Sequence, residues 1–520
     1  MTNYAPTFWA LIEQASDRWA DHIVAADDYG RTLSALQLRE DACAVAAGLA
    51  AQGVGAGDVV SWQIPTVIEA VVLMGALARL DAVQNPIIPI LREREVGFIT
   101  RQVRTTFFVT PEVWRGFDHG ALARGVGAEV GYRTIGLDLV TEPVPGVWRL
   151  PVGDPATLPA PPTGDDRGSL VRWYYYSSGT TADPKGARHT DLSIMAGASG
   201  MLELLGFGEH DVYPIAWPLS HIGGSTMLTT SLVGGVRMAL FDTFDPVVTP
   251  ERMALHRPTM LGSAVPFFNA FMAAQRRHGD DPLYPDLRGC AGGGAPIPAE
   301  IHEDLNRVLG VSGVIGSWGL TEFPIATSCT PDDPHEVITL TVGRPSPSVT
   351  IRAVLADGTD AGLDTEGELV LHGKQQFLGY IDPELDAHAY VDGDWFRTGD
   401  LGIVQTDGNI RLTGRIKDII IRNAENISAL EVEDALFKHS DVLEAAVIGL
   451  PDLRTGERVC AVVLLRDGAT LTIEDLREHC RALGLAIQKC PEQLEIVDAI
   501  PRNAMGKTLK QPLIARFRAP

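Results

Sequence analysis

The chain has 520 residues, 45% of them hydrophobic and 21% charged, the composition of a soluble globular protein large enough for more than one domain. Its net charge of −23, from 43 basic against 66 acidic residues, excludes an easy basic face and so argues against nucleic-acid or anionic-membrane partners. An anionic substrate has to be met by local cations working against that general field. The six cysteines form no CxxC pair, which points to buried thiols in a reducing compartment and away from a zinc site. No basic-then-apolar leader opens the chain, and the longest apolar run, 67–83, is broken by Glu69, Arg79 and Asp81. A cytoplasmic protein without integral membrane association is expected.

In chain order, Ser34 and Gln37 have capping-box spacing, and Leu38, Ala42, Val45 and Leu49 follow with helical periodicity. Residues 59–62 read as a strand, 67–79 as a helix and 107–109 as a strand, while 150–167 reads as a surface connection. Aromatic residues 173–176 favour a buried strand, which then breaks into Ser177, Ser178, Gly179, Thr180 and Thr181, with Lys185 close behind. Gly179 lets the backbone approach a ligand, the hydroxyls and N–H groups donate toward phosphate oxygens, and Lys185 adds a mobile cation. Such a loop suits a polyphosphate, although a Ser/Thr/Gly surface turn has the same composition. It is not a Walker loop, because no GK[ST] follows Gly179.

Strands at 214–218 and 237–241 flank a helix that includes 226–232, and 259–263 and 287–291 read as two more strands. The lone His221 stands among apolar and small residues, where a packed histidine is commoner than a catalyst. Gly292, Gly293 and Gly294, before Ala295 and Pro296, remove side chains where a ring or acyl chain can lie, unless they only make a tight turn. With Gly223, Gly224 and Ala264 they suggest a wide apolar tunnel. Val314, Ile315 and Gly316 introduce a loop, Ser317-Trp318-Gly319-Leu320-Thr321-Glu322. There a purine can stack on Trp318, Thr321 can meet phosphate and Glu322 can hold Mg²⁺. The plainer reading is a β-edge loop with a core tryptophan.

From residue 349 the texture becomes alternating strands, at 350–354, 367–371 and 409–412, which implies a β-rich subdomain. Asp400, suited to a ribose diol, is followed fifteen positions later by Arg415. A boundary falls near 414–418. Beyond it, capped helices at Ser428 and Thr472 and strands at 445–448 and 459–464 make a compact α+β unit. Residues 501–508 fail as a Walker tail, since Pro501 occupies the first glycine position.

The 177–186 loop, Gly294-Ala295-Pro296, Trp318-Gly319-x-Thr321-Glu322, the Asp400 and Arg415 pair, and Pro501-Arg502-x-x-x-Gly506-Lys507 stand in the order found in one family. The chain resembles the adenylate-forming superfamily (acyl-CoA synthetases, amino-acid-activating domains and beetle luciferases), and most of all an acyl-CoA synthetase. The resemblance implies an α/β protein. A large multi-subdomain N-terminal domain, 1–414, would bind acid, ATP and Mg²⁺, and residues 415–417, with Lys417, would be a hinge. A small mobile α+β domain, 418–520, would carry the catalytic Lys507.

It also implies catalytic roles for Lys507, Glu322, Thr181 and His221, the last as a positioning residue at the carboxylate site, with Glu322 on the metal. ATP contacts would come from Ser177, Ser178, Gly179, Thr180, Thr181, Lys185, Gly294, Ala295, Pro296, Ser317, Trp318, Gly319, Thr321, Asp400 and Arg415. His221, Gly223, Gly224, Ala264, Gly292 and Gly293 would line the acyl pocket, and Asn423, Ala424 and Glu425 the CoA tunnel. The sequence departs from the family pattern at Ala182, Asn423 and Ala424, where glycines are usual.

The implied reaction joins a carboxylic acid to CoA through acyl-AMP, with ATP, Mg²⁺ and CoA as the small-molecule partners and a medium-to-long or alicyclic monocarboxylate as the acid. The oligomeric state stays open, a homodimer being one arrangement. An acyl-AMP ligase that loads a carrier protein is the second reading, and a non-catalytic nucleotide-binding module the alternative from another class. Amino-acid activation ranks lower, because residues 216–220 lack an aspartate to pair with an α-ammonium group.

Overall fold

Residues 5–139, 148–161, 166–177, 184–293, 297–423, 425–503 and 506–518 are described by the structure, a computed structural model of the chain. Among them the alternation of apolar strands with helices produces a layered α/β core. The capping box at Ser34 and Gln37 forms as the spacing predicts, and starts the helix Ala35–Ala51. That helix packs on Ile68–Arg79, whose residues are apolar almost all round and nearly all buried. No helix among the described residues is long and apolar enough to cross a membrane.

A six-stranded sheet runs in the order Lys185–Thr190, Val171–Ser177, Val83–Pro86, Val59–Trp62, Phe107–Pro111, Arg133–Leu137. Val171–Ser177 pairs parallel to Val83–Pro86 and antiparallel to Lys185–Thr190, with Ser177 opposite Lys185. The proposed phosphate loop is therefore the connection of an edge hairpin. A second sheet carries Met260–Ser263, Gly289–Gly293 and Val314–Leu320 in parallel, then Phe323–Ser328 antiparallel.

This pairing corrects the loop expected after Gly316. The strand continues to Leu320 and turns at Thr321 and Glu322, because Ser317 and Trp318 pair with Ser328 and Thr327. The register shifts between Trp318 and Leu320. Gly319 sits at that irregularity, where a Cβ would lie 2.0 Å from the Pro324 carbonyl oxygen.

The β-rich subdomain pairs Val349–Val354, Glu366–Gly373, Trp395–Val404 and Ile410–Arg415 antiparallel. The chain leaves it through a single 3₁₀ turn, Ile416–Asp418, and enters the last sheet at Ile419–Arg422. Gly456–Leu465 and Val442–Asp452 form the long hairpin of that sheet, and the Thr472 capping box starts the helix Ile473–Ala482. Its core, built from Ile420, Val432, Leu436, Val447, Val459 and neighbours, is separate from those of the preceding residues.

Gln375 fastens the Phe323–Ser328 strand behind the Glu322 turn. Fully buried, it accepts from Ile325 N–H at 2.8 Å and donates to the Ile325 carbonyl at 2.7 Å. Gln375→Leu strands both groups, so a loss of about 2 kcal/mol or more is expected, measured as a lower midpoint of denaturant unfolding.

Candidate functional site

Four cations reach one place from four parts of the chain. Lys185 comes from the edge hairpin, Arg415 from the end of Ile410–Arg415, Lys417 from the 3₁₀ turn and Lys507 from the C-terminal loop. Burial lowers the Lys417 ammonium, and the charges of Arg415 and Lys185 lower it further. Lys507 is brought down to about 8, first by burial and then by Arg415, with Lys417 adding to the repulsion. The opposing charges at this point are Asp400 and Asp418. Cations held against one another in a protein of net charge −23 fit a polyanion, and ATP has the charge density they lack.

Asp400 is the anchor of that group. It sits directly opposite Arg415 on paired strands, and the guanidinium Nε approaches its carboxylate at 2.5 Å. Trp318 donates its indole N–H to the same carboxylate at 2.8 Å. Only 5% exposed, Trp318 packs with Phe323, Ile351, Leu369 and Leu371. That corrects the expected purine platform: most of the indole is taken up by the core, and Trp318 braces Asp400. Ser317, beside it on the strand, shares a hydrogen bond with Ser328 at 3.0 Å.

Glu322, 6% exposed, accepts from the Tyr380 hydroxyl at 2.7 Å. Burial and the Glu322 charge both push the Tyr380 phenol well above its ordinary range, so it stays a donor. The Tyr380 ring also lies under the Lys185 ammonium, 5.5 Å from its centroid. Tyr380 thus ties the carboxylate to the phosphate-loop cation. Thr321 is held by its carbonyl, which accepts from His189 Nε2 at 2.8 Å, and burial keeps that imidazole neutral at about 4. A carboxylate fixed at one end suits a hard cation such as Mg²⁺.

His221 caps the helix Ile222–Gly234, its Nδ1 accepting from Gly223 N–H at 3.1 Å. Burial lowers it to about 4, so it is neutral, and with Nδ1 accepting its proton sits on Nε2. It borders a small cavity together with Ile87, Ile88, Leu91, Tyr175 and Thr321. The lysine loop is seated on the large sheet region: a Cβ at Gly506 would begin 3.1 Å from the Ala264 methyl. Gly506 has φ +78, and the Asn503 side chain accepts from Lys507 N–H at 3.0 Å.

The tunnel expected from the glycines needs correction. A Cβ at Gly292 would meet Val314 at 2.8 Å and the Ser263 carbonyl oxygen at 2.9 Å. At Gly293 it would meet the Ser317 carbonyl oxygen at 2.3 Å, and at Gly224 the Leu219 carbonyl oxygen at 2.0 Å. These glycines admit neighbouring backbone and core side chains, not a ligand. At the far edge, Asn423 has φ +51, the left-handed turn that asparagine tolerates, and its N–H donates to Thr455. Glu425 is exposed beside it.

Ser178, Gly179, Thr180, Thr181, Ala182, Gly294, Ala295, Pro296 and Ala424 lie outside the described residues. The sequence reading missed Tyr380, which is 58 positions from Glu322 and was signalled only by the aromatic and glycine turn at 377–380.

A cationic cleft with a braced carboxylate, closed by a lysine from a separate C-terminal unit, is the arrangement of an adenylate-forming enzyme. Residues 12–381 match the AMP-binding enzyme family and 431–507 the AMP-binding enzyme C-terminal domain, so the chain belongs to that family. It is 32% identical to the sulfoacetate–CoA ligase of Cupriavidus necator, over 98% of this chain and 97% of that one. To the salicyl-AMP ligase / salicyl-S-ArCP synthetase of Mycobacterium tuberculosis it is 31% identical, over 98% and 91%. Its fold is similar to ATP-bound MatB from Rhodopseudomonas palustris, with a TM-score of 0.84 over 98% and 99% of the chains at 24% identity.

The lowered Lys507 ammonium makes nucleotide binding sensitive to pH. A bound polyphosphate favours the charged form and raises its pKa above the free value of about 8. ATP affinity should therefore be full below that value and fall as pH rises toward the bound one, with proton uptake on binding in that window. Titration calorimetry in two buffers of different ionisation enthalpy checks this. Lys507→Gln should remove the uptake.

Proposed function

We propose that the chain is an ATP-dependent acid–CoA ligase acting on a hydrophobic monocarboxylate, with residues 1–414 and 418–520 as its two units and 415–417 as the hinge. The observation that carries this reading is the seat of the C-terminal loop on Ala264, with Lys507 among Arg415, Asp400 and Lys417.

In the first half-reaction a carboxylate oxygen bonds to the α-phosphorus of ATP and the bond to pyrophosphate breaks. Two anions meet, and their repulsion at a few ångströms in a partly dry site is several kcal/mol. Lys507 and the Ser177–Lys185 loop oppose it, and Mg²⁺ held on Glu322 would neutralise phosphate charge. Asp400 takes the ribose, and neutral His221 positions the carboxylate. In the second half-reaction the CoA sulfur attacks the acyl carbon and AMP leaves. The small unit turns about Lys417 to withdraw Lys507 and present the Asn423 edge.

The acceptor is free CoA in this reading. Loading of a carrier protein is the other reading, favoured by the salicyl-AMP ligase relative. Thioester formation with free CoA separates the two. Glu322→Ala should lower adenylation on the order of 10²-fold, followed by pyrophosphate release.

Alternation of the small unit is testable through its contact. Gly506→Cys with Ala264→Cys places two Cβ atoms near disulfide range, and five of the six native thiols are buried. The oxidised variant should form acyl-AMP at the rate of the reduced one, yet fail to convert supplied acyl-AMP and CoA until reductant is added. Equal loss of both half-reactions on oxidation would count against a turning small unit.

A further inference from the structure

The lining of the cavity beside His221 divides by chemistry. Ile88, Leu91 and Ile99 are aliphatic, while Ser220, His221 and Thr321 carry polar groups. Two tyrosines also border it, but their hydroxyls are engaged, Tyr175 with Ser225 at 2.8 Å and Tyr176 with Gln102 at 2.7 Å. The aliphatic wall is held in place. Gln63, fully buried, donates its side-chain amide to the carbonyls of both Ile88 (3.0 Å) and Leu91 (3.1 Å). His119 holds the other end of that amide at 3.2 Å.

Ser220 stands apart from these satisfied groups. It is 2% exposed, and its hydroxyl has no hydrogen-bond partner among the described residues. A buried hydroxyl without a partner is uncommon and costly, so its partner is to be sought in what the cavity receives. Ser220 and His221 are consecutive and lead into the helix Ile222–Gly234, 13 residues long, whose N-terminal end favours negative charge. His221 caps that helix through Nδ1 and keeps its proton on Nε2. Two neutral donors at a helix N-terminus fit a carboxylate, and the aliphatic wall fits an apolar body.

We propose that Ser220 orients the acid: its hydroxyl, together with His221 Nε2–H, donates to one oxygen of the carboxylate. This rests on the ligase reading above. The other oxygen is left to bond to the α-phosphorus as the bond to pyrophosphate breaks. Because both donors are neutral, they fix the carboxylate without cancelling the charge that makes it a nucleophile. The oxygen they hold becomes the carbonyl oxygen of acyl-AMP. It gains negative charge again when the CoA thiolate attacks the acyl carbon, and returns to a carbonyl as AMP leaves. Ser220 therefore serves both half-reactions, whereas Lys507 serves the first.

Pyrophosphate exchange with butyrate, hexanoate, octanoate, decanoate, cyclohexanecarboxylate and benzoate identifies the acid that the full-length protein uses best. With that acid, Ser220→Ala should lower kcat/KM about 10-fold or more and leave KM for ATP unmoved. Conversion of the corresponding acyl-AMP with CoA should fall by a similar factor. Ser220→Cys, of similar shape but a weaker donor, should fall between the two. The denaturant midpoint of Ser220→Ala should stay level or rise, because the change removes an unpartnered group from the free enzyme. A structural role gives the reverse, a lower midpoint with kcat/KM intact, and overturns the proposal. So does an unchanged kcat/KM for the acid in folded Ser220→Ala, and either result leaves the ligase reading standing. Wild-type exchange with none of the acids overturns the proposal together with that reading.

Discussion

Like charges gathered without their ligand are the constraint on which the site turns. Two cations about 6 Å apart at an effective dielectric of 20 repel by roughly 3 kcal/mol, and four such groups converge here. Arg415 is restrained by Asp400, and Lys507 and Lys417 give up part of their affinity for protons. The rest of the repulsion is available to a polyphosphate, which neutralises the group on arrival. In an acidic protein this local field also selects: a polyanion gains only where the four meet.

Since the four come from separate pieces of chain, their meeting depends on how those pieces are held. Asp400 does most of this by pairing across strands with Arg415 while accepting from Trp318, which belongs to another sheet. Ser428, the cap of the first C-terminal helix, donates its hydroxyl to the Thr413 carbonyl at 2.7 Å, just before the 3₁₀ turn. Any rotation at Lys417 has to exchange that bond and the Gly506–Ala264 contact for others. Both are single contacts, of the kind that the proposed turn of the small unit would exchange.

What was legible in the sequence was what short range decides. The capping boxes at Ser34 and Thr472 formed because cap and partner are three residues apart. Asp400 and Arg415, fifteen apart, could be read as a pair because a single hairpin brings them opposite. Trp318 was misread because its surroundings come from residues 349–371, which no local pattern ties to it. Tyr380 escaped for the same reason. The turn at Glu322 was read as a loop because its pairing partner, Phe323–Ser328, lies on the far side of the motif.

The glycines carry the general lesson furthest. From sequence, a glycine is an absent side chain, and a run of them suggests room. In the fold the same absence has two opposite meanings, set by what stands opposite. At Gly292 and Gly293 it is backbone and core side chains, so the glycines let strands close up. At Gly223 and Gly262 it is the rings of Trp217 and Tyr213, so the vacancy is filled by residues that are themselves replaceable. Only the second kind can be altered one side chain at a time without moving a sheet.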